Sequence, residues 1–359
     1  MGNNSQPQQI SLFEALQDRS VCERERERES KNGLLHSYEH IISLPNLLDA
    51  WREFARDKKG QNDVSEFSVH LLDNIFALRL ELVEKTYRHG PYRPARINDP
   101  KPRDIHIASV RDRLLHHAIY RVVYPYFDKT FVFDSYSCRR RKGTHRAMNR
   151  FREYARDYSH NHARTIWVLK CDIRKFFANI DHIILKGILA GQIKDADTLR
   201  LFDTVIYSFD TEGKPNVGLP LGNLTSQLLV NVYMNEFDQY VKHKLKVKYY
   251  VRYADDFVIL QNNKIALIEL LSKISSFLSE KLKLTLHPDK VFIKTFASGV
   301  DFLGWVHFHD HRVLRTSTKR RMFRRLGGNH KVEVMESYLG LLSHGNTSKI
   351  QKRIQKCFS

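Results

Sequence analysis

The sequence predicts an α+β fold, and three observations carry that prediction. Apolar residues recur at three- and four-residue spacing through most of the stretch before Tyr87 and again in later segments, which is helical periodicity. Short runs of β-branched and aromatic residues lie interleaved with those helices and read as strands. The Gly-rich strand-to-helix turns of a dinucleotide-binding sheet are missing, and no internal repeat appears. With 359 residues, 42% of them hydrophobic, the chain is globular and long enough for two or three substructures.

The elements follow in order. Residues 1–30 form a polar, charged N-terminal segment whose first ten or so positions read as disordered. Within it, Glu23 to Glu29 alternates in sign, which fits an RNA-binding arm or a solvated helix laced with opposite charges. From Leu34 to Tyr87 the stretches NLLDAWREFARDKK and FSVHLLDNIFALRLELVEKTY are helical, and Gly90-Pro91 and Asp99-Pro100 break the chain after them. RDRLLHHAIYRVVYPYF, Arg111 to Phe127, is a helix expected to stop near Pro125. TIWVLKCDI, Thr165 to Ile173, is a buried strand, and NLTSQLLVNVYMNEFDQYVKHKL from Asn223 is a long amphipathic helix. KYYVRYADDFVIL reads as strand, tight turn and strand. KIALIELLSKISSFLSEKL reads as a helix, and DFLGWVHFHDHRVLR as a hairpin. The tail from about Thr316 is basic and helical.

Charge narrows the function. Lys plus Arg total 59 against 40 Asp plus Glu, a formal net charge of +19, which implies a polyanionic partner. Nucleic acid comes first; a membrane surface is second, but no basic amphipathic helix stands out. Cys22, Cys138, Cys171 and Cys357 are scattered without a C-x-x-C, so reduced thiols fit better than a disulfide framework or zinc site. The N-terminus has no apolar signal core, and Gln6 stands where a myristoylation signal wants Ser or Thr. These features suggest a soluble cytoplasmic protein with no membrane partner.

Asp255 and Asp256 sit side by side in an otherwise strand-like run, where carboxylates are disfavoured and repel one another. At a hairpin tip both could project from the turn and be neutralised by hard divalent cations such as Mg²⁺, which prefer carboxylate oxygens. Asp172, ending the apolar strand VLKCD, offers a third carboxylate for a two-metal phosphoryl-transfer site. Alone, each feature is more often structural than catalytic; their ordered combination is far more specific.

From about Arg103 onward the chain resembles reverse transcriptases. Tyr253-Ala254-Asp255-Asp256 resembles the family's Y-x-D-D motif, and Asp172 to Phe177 (DIRKFF) its first palm motif. Gly218-Leu219-Pro220-Leu221-Gly222 resembles the start of its nucleotide-pocket motif. His287-Pro288-Asp289-Lys290 and Phe302-Leu303-Gly304-Trp305 resemble the two motifs after Y-x-D-D. Ser135 to Arg139 (SYSCR) resembles the bacterial fingers segment S-Y-G-F-R.

The resemblance implies a right-hand polymerase fold. Fingers and a helical extension would fall in 31–164, a palm with an antiparallel sheet in 165–310, and a short helical thumb in 311–359. It implies that Asp172, Asp255 and Asp256 hold two Mg²⁺ ions, with the Ile173 carbonyl as a further ligand and Mn²⁺ as a substitute in vitro. A growing strand's 3′-hydroxyl would attack the α-phosphate of an incoming deoxynucleoside triphosphate. Phe177, five residues after Asp172, matches the steric gate against a ribose 2′-hydroxyl, although both Phe176 and Phe177 could be core. Arg103 matches the triphosphate-binding arginine of the fingers, with Lys101 a weaker candidate. Lys290 matches a lysine near the leaving pyrophosphate, or is a surface lysine after a proline turn. Arg139, Arg140, Arg141 and Lys142 suit template RNA backbone contact, or a solvated face. Phe302, Leu303, Gly304 and Trp305 would hold the primer end of the cDNA.

Two histidine groups compete for attention. His307, His309 and His311 alternate in the spacing of zinc ligands on a strand, but Asp310 suggests a turn and no fourth ligand is near in sequence. His116 and His117 face apart on a helix, which suits packing or RNA contact better than catalysis.

The segment L-G-N-L-T-S-Q, Leu221 to Gln227, departs from most reverse transcriptases, which carry Gln at the first position and Ser-Pro at the end. It resembles the enzymes of diversity-generating retroelements, which copy a template-repeat RNA into cDNA with errors at adenines and work with a small basic accessory protein. Leu221 cannot make the hydrogen bonds that Gln can, which is consistent with lower fidelity or with a simple packing change. About fifty residues follow Trp305, enough for a thumb but not for an added RNase H or endonuclease domain. The alternatives are a retron-like, antiphage-defence or compact group II-like reverse transcriptase, or a catalytically retired RNA-binding scaffold.

Overall fold

The computed structural model describes residue 34 and residues 37–97, 102–327 and 332–358. The charged segment before Leu34, including Cys22 and Glu23 to Glu29, and Lys101 lie outside the described residues. Within them the fold is mixed helix and sheet with every strand pair antiparallel, as the sequence predicts. The chain divides into two compact units: residues up to 97 with 102–130 and 177–232, and residues 131–176 with 233 onward.

The first unit begins with helices α1 (Ser37–Ile42), α2 (Leu44–Ala55), α3 (Asn62–Val69) and α4 (Leu71–Val83). Ser43 caps α2 by accepting from the Asn46 amide, and Pro45 sits in its first turn, where a missing N–H costs nothing. A hairpin follows, β1 (Arg93–Ile97) with β2 (Arg103–Ile107). Its strands RPARI and RDIHI are short and mostly exposed, and each alternates only two apolar residues with polar ones, Ala95 and Ile97 or Ile105 and Ile107, too short a pattern to announce a strand.

Helix α5 runs from Val110 to Thr130, straight through Pro125, where the sequence suggests a stop. The buried stripe explains the difference. Leu115, Ile119, Val123 and Phe127 are fully buried and carry the apolar face across the proline. Burying side chains of this size contributes roughly 1.5–3 kcal/mol each, enough to outweigh the roughly 3 kcal/mol that an interior proline costs. Helices α7 (His182–Gln192) and α8 (Ala196–Ile206) follow in this unit, capped by Asp181 and Asp195 respectively.

A buried polar network ties the start of α5 to the loop before β1. Asp112 is fully buried and accepts from the Tyr87 hydroxyl at 2.8 Å, the Ser109 hydroxyl at 2.7 Å and the Gly90 amide at 3.1 Å. Burial pushes its carboxyl up. Neighbouring His89 and the Ser109 and Tyr87 hydrogen bonds outweigh that push and hold it below the usual carboxylate range. Its contribution is therefore present above the unfolded-state pKa and is lost as pH falls through the depressed folded one. Asp112→Ala leaves three donors unpaired. The expected result is a loss of about 3 kcal/mol or more, read as a lower midpoint in thermal denaturation; a midpoint equal to wild type would show the network to be dispensable.

The second unit is built on a four-stranded sheet in the order β4 (Tyr250–Tyr253), β5 (Asp256–Gln261), β3 (Trp167–Asp172), β6 (Phe292–Thr295). Helix α6 (Thr144–Tyr158) brings Phe151 and Tyr154 onto Val168, Val251, Val258 and Leu260. The other face carries Phe257 and Tyr250, against which Phe237 packs. Phe237 belongs to α9 (Leu224–Gln239), and α10 (Lys264–Leu282) packs on β3 and β5. The sequence suggests an amphipathic α9, but Leu228 to Asn235 are buried all round, so the polar Asn231 and Asn235 are interior.

The stretch that suggests one hairpin is a three-stranded meander: β7 (Val300–Phe302), β8 (Trp305–His307) and β9 (Arg312–Leu314). Two residues at positive φ, Leu303 at 53° and Gly304 at 86°, make the first turn, the backbone that matches strand twist. β8 ends at His307, which is buried inside its own turn, so His307, His309 and His311 do not share a strand face. The basic helices α11 (Thr316–Gly327) and α13 (Ser348–Phe358), with the apolar, acidic α12 (Val332–Leu342) between them, pack around Trp305.

Candidate active site

Strand register assembles the carboxylates. Asp172, last in β3, lies directly opposite Asp256, first in β5, and both point to one face because side chains alternate along a strand. Tyr253 and Asp256 are the closing pair of the β4–β5 hairpin, so Ala254 and Asp255 form its two-residue turn. Ala254 takes a φ of 54°, a conformation that usually favours glycine and costs about 1–3 kcal/mol for another residue. The Ile173 amide donates to the Asp255 carbonyl at 3.0 Å and docks the turn on the end of β3. The three aspartates thus gather at one end of the sheet.

Two lysines answer their charge. Lys290, in the short turn Pro288–Lys290, donates to Asp172 Oδ1 at 2.9 Å. Lys170 is buried in β3, two residues before Asp172 and on its face, with Nζ 3.2 Å from Asp256 Oδ1. That contact is an ion pair without hydrogen-bond alignment, and Asp256 Oδ1 is otherwise buried with no hydrogen-bond partner. Burial raises the Asp256 carboxyl to about 7; Lys170 opposes the rise, while Asp255 and Asp172 add to it. Lys170 is not among the residues singled out above, although a charge between Leu169 and Cys171 is as anomalous as the aspartate pair.

Among the described residues no three His, Cys, Asp or Glu side chains converge on one ion position. Two of the carboxylates are engaged by ammonium groups, which occupy the place of positive charge. The donor set is otherwise all oxygen, and Asp256 Oδ1, ion-paired with Lys170 but without a hydrogen-bond partner, adds an acceptor, so these residues fit a hard divalent cation.

The other candidate residues fall in two settings. In the first unit, Phe177 opens a short 3₁₀ turn and is half-buried, whereas Phe176, in the second unit, is core at 4% exposure. The Phe177 carbonyl accepts from the Leu219 amide at 2.8 Å, which anchors it to the G-L-P-L-G segment. Gly218 at φ 113° is required there: a Cβ would meet Thr211 Oγ1 at 2.1 Å. Leu221 lends its carbonyl to the His106 amide at 3.0 Å, and Asn223 donates to the His106 carbonyl at 2.9 Å, so this segment lies along β2. Gly222 makes the bend at φ 103°, and Arg103 is exposed in β2.

A cavity of about 370 Å³ opens beside Gly222, lined among others by Phe54, Lys58, Ile105, Arg113 and Gln227. His116 and His117 also line it. Burial lowers them to about 3 and about 4, with His89 adding to the first and Lys58 and Arg121 to the second, so the cations there are Lys58 and Arg113.

In the second unit the basic run divides. Arg139 donates to the carbonyls of Val132 and Ser135, and Lys142 to that of Phe133, with its ammonium 3.4 Å from the Phe133 ring centroid. These two cations brace their own loop, while Arg140 and Arg141 are exposed. Phe302 and Trp305 are fully buried, so the surface of that motif is the Leu303–Gly304 turn.

A family model described as reverse transcriptase (RNA-dependent DNA polymerase) matches residues 97–307. The chain is 26% identical over 328 residues to protein YkfC of Escherichia coli, covering 78% of this chain and 83% of that one. It is 26% identical over 313 residues to the group II intron-encoded protein LtrA of Lactococcus lactis, covering 67% of this chain and 50% of that one. Against this longer relative the chain spans half the length. A solved structure of telomerase from Candida albicans in complex with a fragment of telomeric RNA is similar at 13% identity and a TM-score of 0.49, covering 71% of this chain and 53% of that one. Among the described residues no helix is long and apolar enough to cross a membrane.

Proposed function

The chain belongs to the reverse transcriptase family, whose activity is RNA-directed DNA polymerisation, and we propose that it serves a diversity-generating retroelement by copying a template-repeat RNA into cDNA with errors at adenines. The observation that carries this reading is the segment Leu221 to Gln227, with Leu at its first position and Ser-Gln at its end. Its backbone is pinned to β2 at His106 on both sides of Gly222, so the departure at the first position lies in the Leu221 side chain. A pocket that trades a hydrogen-bonding group for an alkyl one discriminates less between near-isosteric bases.

In this reading 165–310 acts as palm, 311–359 as thumb and the helices and β1–β2 hairpin before them as extension and fingers. Asp172, Asp255, Asp256 and the Ile173 carbonyl would hold two Mg²⁺ ions. Such ions activate the attacking hydroxyl and stabilise the leaving oxygen of an in-line displacement. Arg103 and Lys101 bind the triphosphate, Phe177 excludes a ribose, and Lys290, once released from Asp172, neutralises charge on the leaving pyrophosphate. Arg140 and Arg141 face template RNA, the Leu303–Gly304 turn supports the primer, and a small basic accessory protein helps to hold the RNA.

Extension of a primer on RNA with deoxynucleotides and Mg²⁺, with products sequenced, tests the reading. Errors concentrated at template adenines are expected. The similarity to the intron-encoded protein favours a compact group II-like enzyme as the second reading, and uniformly accurate cDNA would establish it over the first. An intact biological activity without polymerisation would instead mark a retired scaffold.

A further inference from the structure

The polymerase reading leaves one buried charge pair without a role. Arg252, in β4, is 1% exposed, and Asp238, near the end of α9, is fully buried. The guanidinium grips Asp238 bidentately, Nε to Oδ1 at 2.7 Å and Nη2 to Oδ2 at 2.6 Å. Tyr250 adds a hydroxyl to Asp238 Oδ1 at 2.6 Å. The remaining donors are directed elsewhere: Nη1 reaches the Ala254 carbonyl at 3.0 Å, and Nη2 reaches the Ser135 hydroxyl at 2.9 Å. Backbone bonds reinforce the same junction, from the Arg252 amide to the Asp134 carbonyl and from the Tyr136 amide to the Arg252 carbonyl, each 2.9 Å.

By strand alternation Arg252 lies on the sheet face opposite Asp172 and Asp256. It therefore does not touch the reacting groups; it braces the hairpin from behind. Ala254 is held at a positive φ that its side chain disfavours, and the peptide linking Ala254 to Asp255 is the one to whose carbonyl Arg252 donates. A planar fork is suited to this, because one rigid group meets a carboxylate, a carbonyl and a hydroxyl at fixed angles. A lysine could keep the charge against Asp238 but not all of those contacts.

We propose that Arg252, anchored by Asp238 and Ser135, is a positioning residue that fixes the Ala254–Asp255 turn in the conformation that presents Asp255 to the catalytic ions. The proposal rests on the polymerase reading and concerns how its site is held together. Supporting groups of this kind are worth roughly 10- to 100-fold in ion affinity, and a misplacement of about 1 Å costs roughly a hundredfold in turnover.

The test uses the full chain with a primer–template. Arg252→Lys is expected to lower kcat by about a hundredfold and to raise the Mg²⁺ midpoint of extension by about tenfold, with the deoxynucleotide KM and RNA affinity near wild type. Mn²⁺ titration followed by EPR reads the ion site without chemistry, on a primer lacking its 3′-hydroxyl and with the next deoxynucleotide bound. There the Asp255-dependent binding weakens by the same factor. Phe296→Leu, a core change in the same unit, separates stability from positioning, since it lowers the thermal midpoint and leaves the ion midpoint alone. If Arg252→Lys does not fold, Ser135→Ala removes one partner of the fork and should raise the ion midpoint about threefold. A folded Arg252→Lys, or in its absence Ser135→Ala, with wild-type ion midpoints in both assays overturns the proposal. A wild-type protein that neither extends a primer nor binds Mn²⁺ through Asp255 overturns the polymerase reading itself.

Discussion

Asp255→Ala is expected to reduce nucleotide addition by a thousandfold or more and to leave RNA affinity within about twofold of wild type. The two halves have separate physical origins. Ion binding by carboxylates supplies several kcal/mol of stabilisation that exists only as charge develops in the transition state, and each 1.36 kcal/mol is worth a factor of ten. RNA affinity, in the proposed reading, would come from the basic surface. A formal charge of +19, from 59 Lys and Arg, changes little when one acidic residue is removed from a two-residue turn. The fold should survive, because the Ile173 amide bonds to the backbone carbonyl of residue 255 and Arg252 to that of residue 254, and alanine keeps both carbonyls. Single-turnover primer extension and a filter-binding titration, each with Mg²⁺, check the two halves. Residual extension above a few per cent would show that Asp255 is not a principal ion ligand, whereas a large loss of RNA affinity would implicate the turn in binding the strand.

How much of this was legible before the structure depends on where the signal is written. The hairpin tip was readable because two charges interrupt an apolar strand, a local conflict that only an external partner can relieve. Asp172 was readable only in combination, as a carboxylate that ends an apolar strand upstream of that pair, and the register then brings it opposite Asp256. The β1–β2 hairpin was not readable, because its strands are five residues long, mostly exposed, and alternate only two apolar residues each. The helix through Pro125 was misjudged because local propensity points one way and the buried stripe of Ile119, Val123 and Phe127 the other; packing wins. Charge was the least readable feature. Arg139, Arg140, Arg141 and Lys142 look alike in the sequence, yet two of them spend their donors on their own loop. The pairing of Arg252 with Asp238, and of Lys170 with Asp256, depends on which faces meet, and that is a property of the assembled sheet.

Phe177→Ala is expected to let ribonucleotides in, lowering the preference for deoxynucleotides by roughly 10- to 200-fold, the range spanned by a change of steric fit in a pocket. The neighbouring rings show why the effect belongs to one of them. Phe176 is buried at 4% exposure, so truncating it opens a core cavity and costs about 3–5 kcal/mol of stability. Phe177 is only half-buried, and its backbone carbonyl is held by the Leu219 amide, so the ring can be removed while the turn stays in place. In the proposed role, a bulky ring there would reject a 2′-hydroxyl by occupying its volume, and an alanine has no atoms to do so. Ribonucleotide incorporation should therefore rise through kcat/KM for the ribonucleotide, with kcat/KM for the deoxynucleotide falling only modestly. Competition between the two substrates on one primer–template, with alkaline cleavage of the products, measures the ratio. Phe176→Ala serves as the matched control: a lower thermal midpoint with unchanged sugar preference is expected. If Phe177→Ala instead kept wild-type discrimination, the selection against ribose would have to reside in another group, and the half-exposed ring would be packing alone.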